Sequence, residues 1–177
     1  MLFTLNDKKI VFAFSSRALF DLEADNAVYD QHGAAAYEKH QRSRIKKPLK
    51  PGVAFAFAQK LCRLNAGLSH EERLLEVVVT SRCDPYTGMR IFNSLAEYGL
   101  NEVCAGANAR GRDPVRYLKA FGANLFLTAN ENDARLALAQ GVPAALVYPR
   151  AGTFADPADT ELRVGYEARS VDTSKYK

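Results

Sequence analysis

Ile10-Val11-Phe12-Ala13-Phe14 is an unbroken apolar run, entered from Lys8-Lys9 and left abruptly at Ser15-Ser16-Arg17. It is too short for a stable helix and shows no polar alternation, so it predicts a strand covered on both faces. A strand of that kind forces a layered fold, because each face must pack against something. The signature returns in Leu74 to Val79, which is rich in β-branched residues and closes in Thr80-Ser81-Arg82. Asn124 to Thr128 and Ala144 to Tyr148 repeat it.

Helical patterns fill the intervals. Spacing of 3.6 begins at Leu19 and runs through Leu22, Ala24, Val28 and Tyr29, with Asp21, Glu23 and Asp25 at the positive end and a break at His32-Gly33. A second helix is expected from Ala34 to Arg42, followed by an exposed basic loop from Arg42 to Lys50 that carries Pro48 and leads into Pro51. Gly52 opens an apolar helix through Val53, Phe55, Phe57, Leu61 and Leu64, and Thr87 to Tyr98 forms the next, stopped by Gly99. A short strand near Glu102 to Ala105 leads into a small polar loop, Gly106 to Gly111. Asp113-Pro114 starts a helix holding Val115, Leu118 and Phe121, and Asn130 to Gln140 forms a last one, closed by Gly141.

Strand alternating with helix predicts an α/β fold: a three-layer, doubly wound, mostly parallel sheet of Rossmann-like type, with a small helical insertion after the first strand. The expected domain spans residues 1–149, with the insertion over residues 21–50 and an irregular tail at 150–177 in which only Leu162 to Tyr166 looks strand-like.

A chain of 177 residues with 47% hydrophobic content is long enough to bury one sizeable core. Its net charge of +4, from 24 basic and 20 acidic residues, is that of an ordinary solvated surface with a mild tilt toward anionic partners. The basic stretch Arg42 to Lys50 lacks aromatic interleaving, so a nucleic-acid partner is not expected. Cys62, Cys83 and Cys104 cannot all pair and match no zinc spacing, which predicts reduced thiols. No apolar run is long enough to cross a bilayer and the first residues lack a signal-peptide core, so a cytoplasmic location with no membrane partner is expected.

In a sheet wound this way, ligands bind beyond the carboxyl ends of the strands. Ser15, Ser16 and Arg17, Thr80, Ser81 and Arg82, and Asn130 after Thr128 all fall there. Hydroxyls, guanidinium forks and helix N-termini satisfy phosphate oxygens. Lys119, set among apolar residues in Tyr117-Leu118-Lys119-Ala120-Phe121, is expected to reach inward and hold phosphate charge. The candidate phosphate or nucleotide site is therefore Ser15, Ser16, Arg17, Thr80, Ser81, Arg82, Lys119 and Asn130, with no catalytic residue assigned.

Five stretches together carry a family likeness: Ser15-Ser16-Arg17-Ala18-Leu19-Phe20, Pro48-Leu49-Lys50-Pro51-Gly52, Phe92-Asn93-Ser94 with Tyr98-Gly99-Leu100, Tyr117 to Phe121, and Leu125-Phe126-Leu127-Thr128-Ala129-Asn130-Glu131. Over most of residues 8–149 the chain resembles the amino-terminal half of the cytosolic 5'-nucleotidases of type I, within the haloacid dehalogenase-like superfamily. That resemblance implies Mg²⁺-dependent removal of phosphate from nucleoside 5'-monophosphates by an Asp-x-Asp pair. Phe14 and Ser16 stand where the superfamily's first strand carries that pair. The family's own pair opens a second, related half in a strand like Leu-Arg-Val-Ala-Phe-Asp-Gly-Asp. Here Leu162-Arg163-Val164-Gly165-Tyr166-Glu167-Ala168-Arg169 occupies that place, with Glu167 and Arg169 at the two acidic positions. Two readings stay open: a 5'-nucleotidase, and a non-catalytic nucleotide- or phosphate-binding module that pairs with another chain, either a second copy in a homodimer or a missing second half. In either case Mg²⁺ should bind weakly or not at all.

Overall fold

The computed structural model describes residues 9–101, 103–109 and 111–148. At its centre lies β1, Ile10–Ser15. It pairs in parallel with β4, Leu75–Ser81, on one side and with β6, Leu125–Thr128, on the other. Beyond these, β5 (Val103–Asn108) and β7 (Ala144–Leu146) complete a five-stranded parallel sheet in the order β5-β4-β1-β6-β7. The chain winds outward through β4 and β5 and then crosses back to β6, so the order reverses between β1 and β6.

Side-chain alternation along the strands builds two apolar layers. Phe14, Val77, Val79 and Leu127 pack with helix α3 (Phe55–Arg63) and helix α4 (Pro85–Glu97). Val11, Ala13, Val78 and Phe126 form a second layer with Val115, Leu118, Ala137 and Val142, brought by a 3-10 turn at Val115–Tyr117 and by helix α5 (Glu131–Ala139). Phe14, Phe20 and Phe126 are fully buried, each contributing about 1.5–3 kcal/mol of hydrophobic stabilisation. This is the three-layer, Rossmann-like arrangement that the alternation of elements predicts.

Several local features differ from the sequence reading. Ser15 caps a one-turn helix, α1 (Ser16–Leu19), by accepting from Ala18 N at 3.2 Å. β2 (Phe20–Asp21) then pairs antiparallel with β3 (Lys50–Pro51), a ladder too short to show as a pattern. The expected basic loop is less free than its charge suggests. Leu49 is buried, its N–H donates to Ser94 Oγ at 2.9 Å, and its carbonyl accepts from Tyr98 Oη at 2.9 Å. Next to it, a Cβ on Gly52 would lie 2.8 Å from the Ala18 carbonyl oxygen and from Phe20 N, so only glycine lets the two backbones approach.

The polar stretch beginning at Gly106 is strand as far as Asn108, because Gly106, Ala107 and Asn108 pair with Val79, Thr80 and Ser81. The helix expected after Asp113-Pro114 shrinks to the 3-10 turn. The last strand stops at Leu146. Residues 150–177, including Glu167 and Arg169, lie outside the described residues.

Between β2 and β3 stands α2, Glu23–Ser43, broken as expected at Gly33, whose φ of 75° and ψ of −177° are essentially glycine-only. Arg90 of α4 ties both halves of α2 down. Its Nη1 donates to Asp25 Oδ1 at 3.0 Å and to Gln41 Oε1 at 2.9 Å, and its Nε donates to the Lys47 carbonyl at 2.8 Å. Asp25 also meets His40 Nε2 at 2.7 Å.

Candidate functional site

Parallel register sets the strand ends in one row: Ser15 lies opposite Thr80, Thr80 opposite Ala107, and Phe14 between Val79 and Leu127. The chain turns sharply after each of these strands, leaving a cleft of about 810 Å³ roofed by α2. Ser15, Ser16, Arg17, Thr80, Ser81, Arg82 and Asn130 all line it. Seven of the eight predicted residues therefore meet in one place.

Lys119 does not join them. It is exposed, and it follows the buried Leu118 just beyond the 3-10 turn. Of the apolar neighbours that suggested an inward lysine, Leu118 and Phe121 enter the second core layer and leave Lys119 on the outside. Phe14 is likewise absent from the cleft: its side chain is fully buried, with its ring 6.1 Å from that of Phe57.

The floor is a bed of hydroxyls. Ser16 Oγ and Ser81 Oγ share a buried hydrogen bond at 2.9 Å. Thr80 is fully buried, and its hydroxyl has no hydrogen-bond partner among the described residues. The charges around this bed are already engaged. Arg17 donates to Glu23 at 2.5 Å, and Arg82 pairs with Asp133. Burial pushes the Asp133 carboxyl above the usual carboxylate range, against the pull of the Arg82 guanidinium. Asn130 accepts from Asp133 N at 3.1 Å and so caps α5.

Where roof meets floor, the sequence reading missed a second polar group. Tyr37 of α2 and Cys83 influence each other electrostatically; Cys83 N donates to Ser81 Oγ at 3.2 Å, and Thr87 Oγ1 hydrogen-bonds Tyr37 Oη at 3.5 Å. Burial pushes the Cys83 thiol up, and burial together with the neighbouring thiol pushes the Tyr37 phenol up, so both stay protonated at neutral pH. That makes Cys83 a poor nucleophile. A signal for the roof did exist: Leu22, Asn26 and Tyr29 follow helical spacing and all line the cleft, although as a pattern they read as a core stripe.

Magnesium prefers near-octahedral oxygen ligands, normally with carboxylates. Asp84 and Asp133 line the cleft, but Asp84 accepts from Tyr86 N at 2.8 Å and from Thr87 Oγ1 at 2.5 Å to cap α4, while Asp133 holds Arg82. Among the described residues, no three His, Cys, Asp or Glu side chains gather where a metal would bind. The donor set of the described residues does not fit Mg²⁺. No helix among the described residues is long and apolar enough to cross a membrane.

The sequence model of the 5'-nucleotidase family matches residues 2–175. Human cytosolic 5'-nucleotidase 1B is 32% identical over 168 residues, which cover 92% of this chain but only 27% of that protein. Among solved structures, the HAD domain of the Legionella pneumophila effector protein Lem4 superposes with a TM-score of 0.46 at 10% identity, over 82% of this chain and 88% of that one.

Proposed function

The chain belongs to the 5'-nucleotidase family, and from that premise we propose that its cleft binds a phosphomonoester, in this family a nucleoside 5'-monophosphate, without hydrolysing it. The observation that carries the proposal is the Thr80 hydroxyl, fully buried in the floor with no partner among the described residues. A buried donor without an acceptor costs about 1–3 kcal/mol, a penalty that a phosphate oxygen would remove. Ser15, Ser16 and Ser81 stand beside it with further hydrogen-bonding capacity.

Binding without hydrolysis rests on what occupies both pairs of acidic positions. At the family's own pair stand Glu167, one methylene longer than Asp, and Arg169, which offers no carboxylate. The side chains at the superfamily's two first-strand acidic places are Phe14, locked in the core, and Ser16, hydrogen-bonded to Ser81. A nucleophile must lie within about 3–3.5 Å of the atom it attacks. Neither side chain supplies a carboxylate there.

Phosphate should raise the melting temperature of the purified chain, and the near-isosteric Thr80→Val should abolish that shift. Nucleoside monophosphates should give a shift with no release of phosphate. Sustained phosphate release, or no shift with any phosphate compound, would defeat the proposal. A second reading is favoured by the 27% of the human relative that the chain spans: hydrolysis assembled with another chain that contributes the attacking carboxylate. It predicts turnover only in the mixture.

A further inference from the structure

The phosphate reading uses only the floor of the cleft. At about 810 Å³ the space far exceeds what a phosphate group fills and lies in the range of ~300–1,000 Å³ typical of sites that enclose whole ligands. Its roof is chemically different from its floor. Leu22, just before α2, and Asn26 and Tyr29 in its first half line the cleft.

Tyr29 remains 53% exposed although it sits on a wall, and its ring is steadied edge-on by Tyr37, with centroids 5.8 Å apart and planes at 86°. About half of Tyr29 is therefore open to a ligand. One helical turn away, Asn26 Nδ2 is buried without a hydrogen-bond partner among the described residues. A flat π surface beside an unmet amide donor matches a heteroaromatic ring that carries acceptor atoms on its edge. A sugar or a bare anion offers no such ring.

We infer that the Asn26–Tyr29 face of α2 is a nucleobase subsite: the base stacks on the Tyr29 ring and accepts a hydrogen bond from Asn26 Nδ2, while the phosphate rests on the Thr80 floor. The inference deepens the phosphomonoester reading and rests on it. It makes α2 the element that selects nucleotides from other phosphate esters.

Titration calorimetry on the full chain with a purine and a pyrimidine nucleoside 5'-monophosphate, ribose 5-phosphate and inorganic phosphate tests it. Both nucleotides should bind about ten-fold or more tightly than ribose 5-phosphate, the scale of one base stacked on an aromatic ring. Tyr29→Ala should bring nucleotide and ribose 5-phosphate within about three-fold of each other while leaving inorganic phosphate unchanged, and Tyr29→Phe should keep the preference. Asn26→Leu should weaken the nucleotides alone. Equal binding of nucleotide and ribose 5-phosphate by the unaltered chain would overturn the subsite yet leave the phosphate floor standing. So would a Tyr29→Ala loss shared equally by inorganic phosphate. No binding of any of these compounds would overturn both.

Discussion

The strand ends that floor the cleft are held by a parallel ladder between two apolar layers, whereas the helix that roofs it, α2, buries only Asp25, Tyr37 and Gln41 along its length. Two of those three side chains are polar, and both answer to Arg90. Floor and roof touch the same ligand space but draw on different physics. Apolar burial holds the floor, and it is not directional. Desolvated, charge-assisted hydrogen bonds hold the roof, and these fail as a set when one partner is removed. The difference separates a rigid floor, proposed to hold the anion, from a roof that can loosen without unfolding the sheet.

The largest expected effect lies in the floor. Phe14→Ala should destabilise the whole chain by about 3–5 kcal/mol, measured as a lower urea midpoint, because it leaves a cavity between β1 and α3. A loss near zero would mean that the layer is not close-packed. Arg90→Ala comes next, at about 2–3 kcal/mol, since it strips Asp25 and Gln41 of a charged partner. Its signature should be local: amide exchange should rise across residues 23–43 while β1 and β4 stay protected. Exchange rising equally in the sheet would erase the proposed contrast.

The smallest effect should appear at the seam between the two regions. Cys83 and Tyr37 both hold their protons more tightly folded than unfolded. As pH climbs past about 9, the unfolded chain sheds those protons first and is favoured, so stability falls with rising pH. Melting curves between roughly pH 8 and 11 should show a shallower decline for Tyr37→Phe, which keeps the ring and loses the titrating group. An unchanged slope would show that the seam does not couple to protonation.

The sheet was readable because its strands are short, uniformly apolar and β-branched, features that survive without knowledge of their neighbours. Val77, Val78 and Val79 announce a buried strand wherever they are met. The hydroxyls after each run could be placed at one edge because parallel strands share a direction. What stayed hidden depends on partners far away in sequence. Gly106 to Asn108 looks like a loop until Val79 to Ser81 lies beside it, and the Phe20–Pro51 pairing has too few residues to make a period. Arg90, between Met89 and Ile91, carries no local mark of being buried. Lys119 misled because apolar neighbours say that a segment packs, without saying which way a given side chain points.

The break at Gly33 also resets the clock of the helix. A straight rod of that length would extend about 31 Å, and at about 100° per residue it would carry Ala34 and Glu38 roughly 120° and 160° around the axis from Leu22, facing away from the cleft. Restarting the winding after Gly33 brings both residues back to the side that Leu22, Asn26 and Tyr29 face. The two segments are thus independently clocked: one residue inserted between Gly33 and Tyr37 would rotate the phenol away from Cys83 by about 100° and leave the azimuth of Tyr29 untouched.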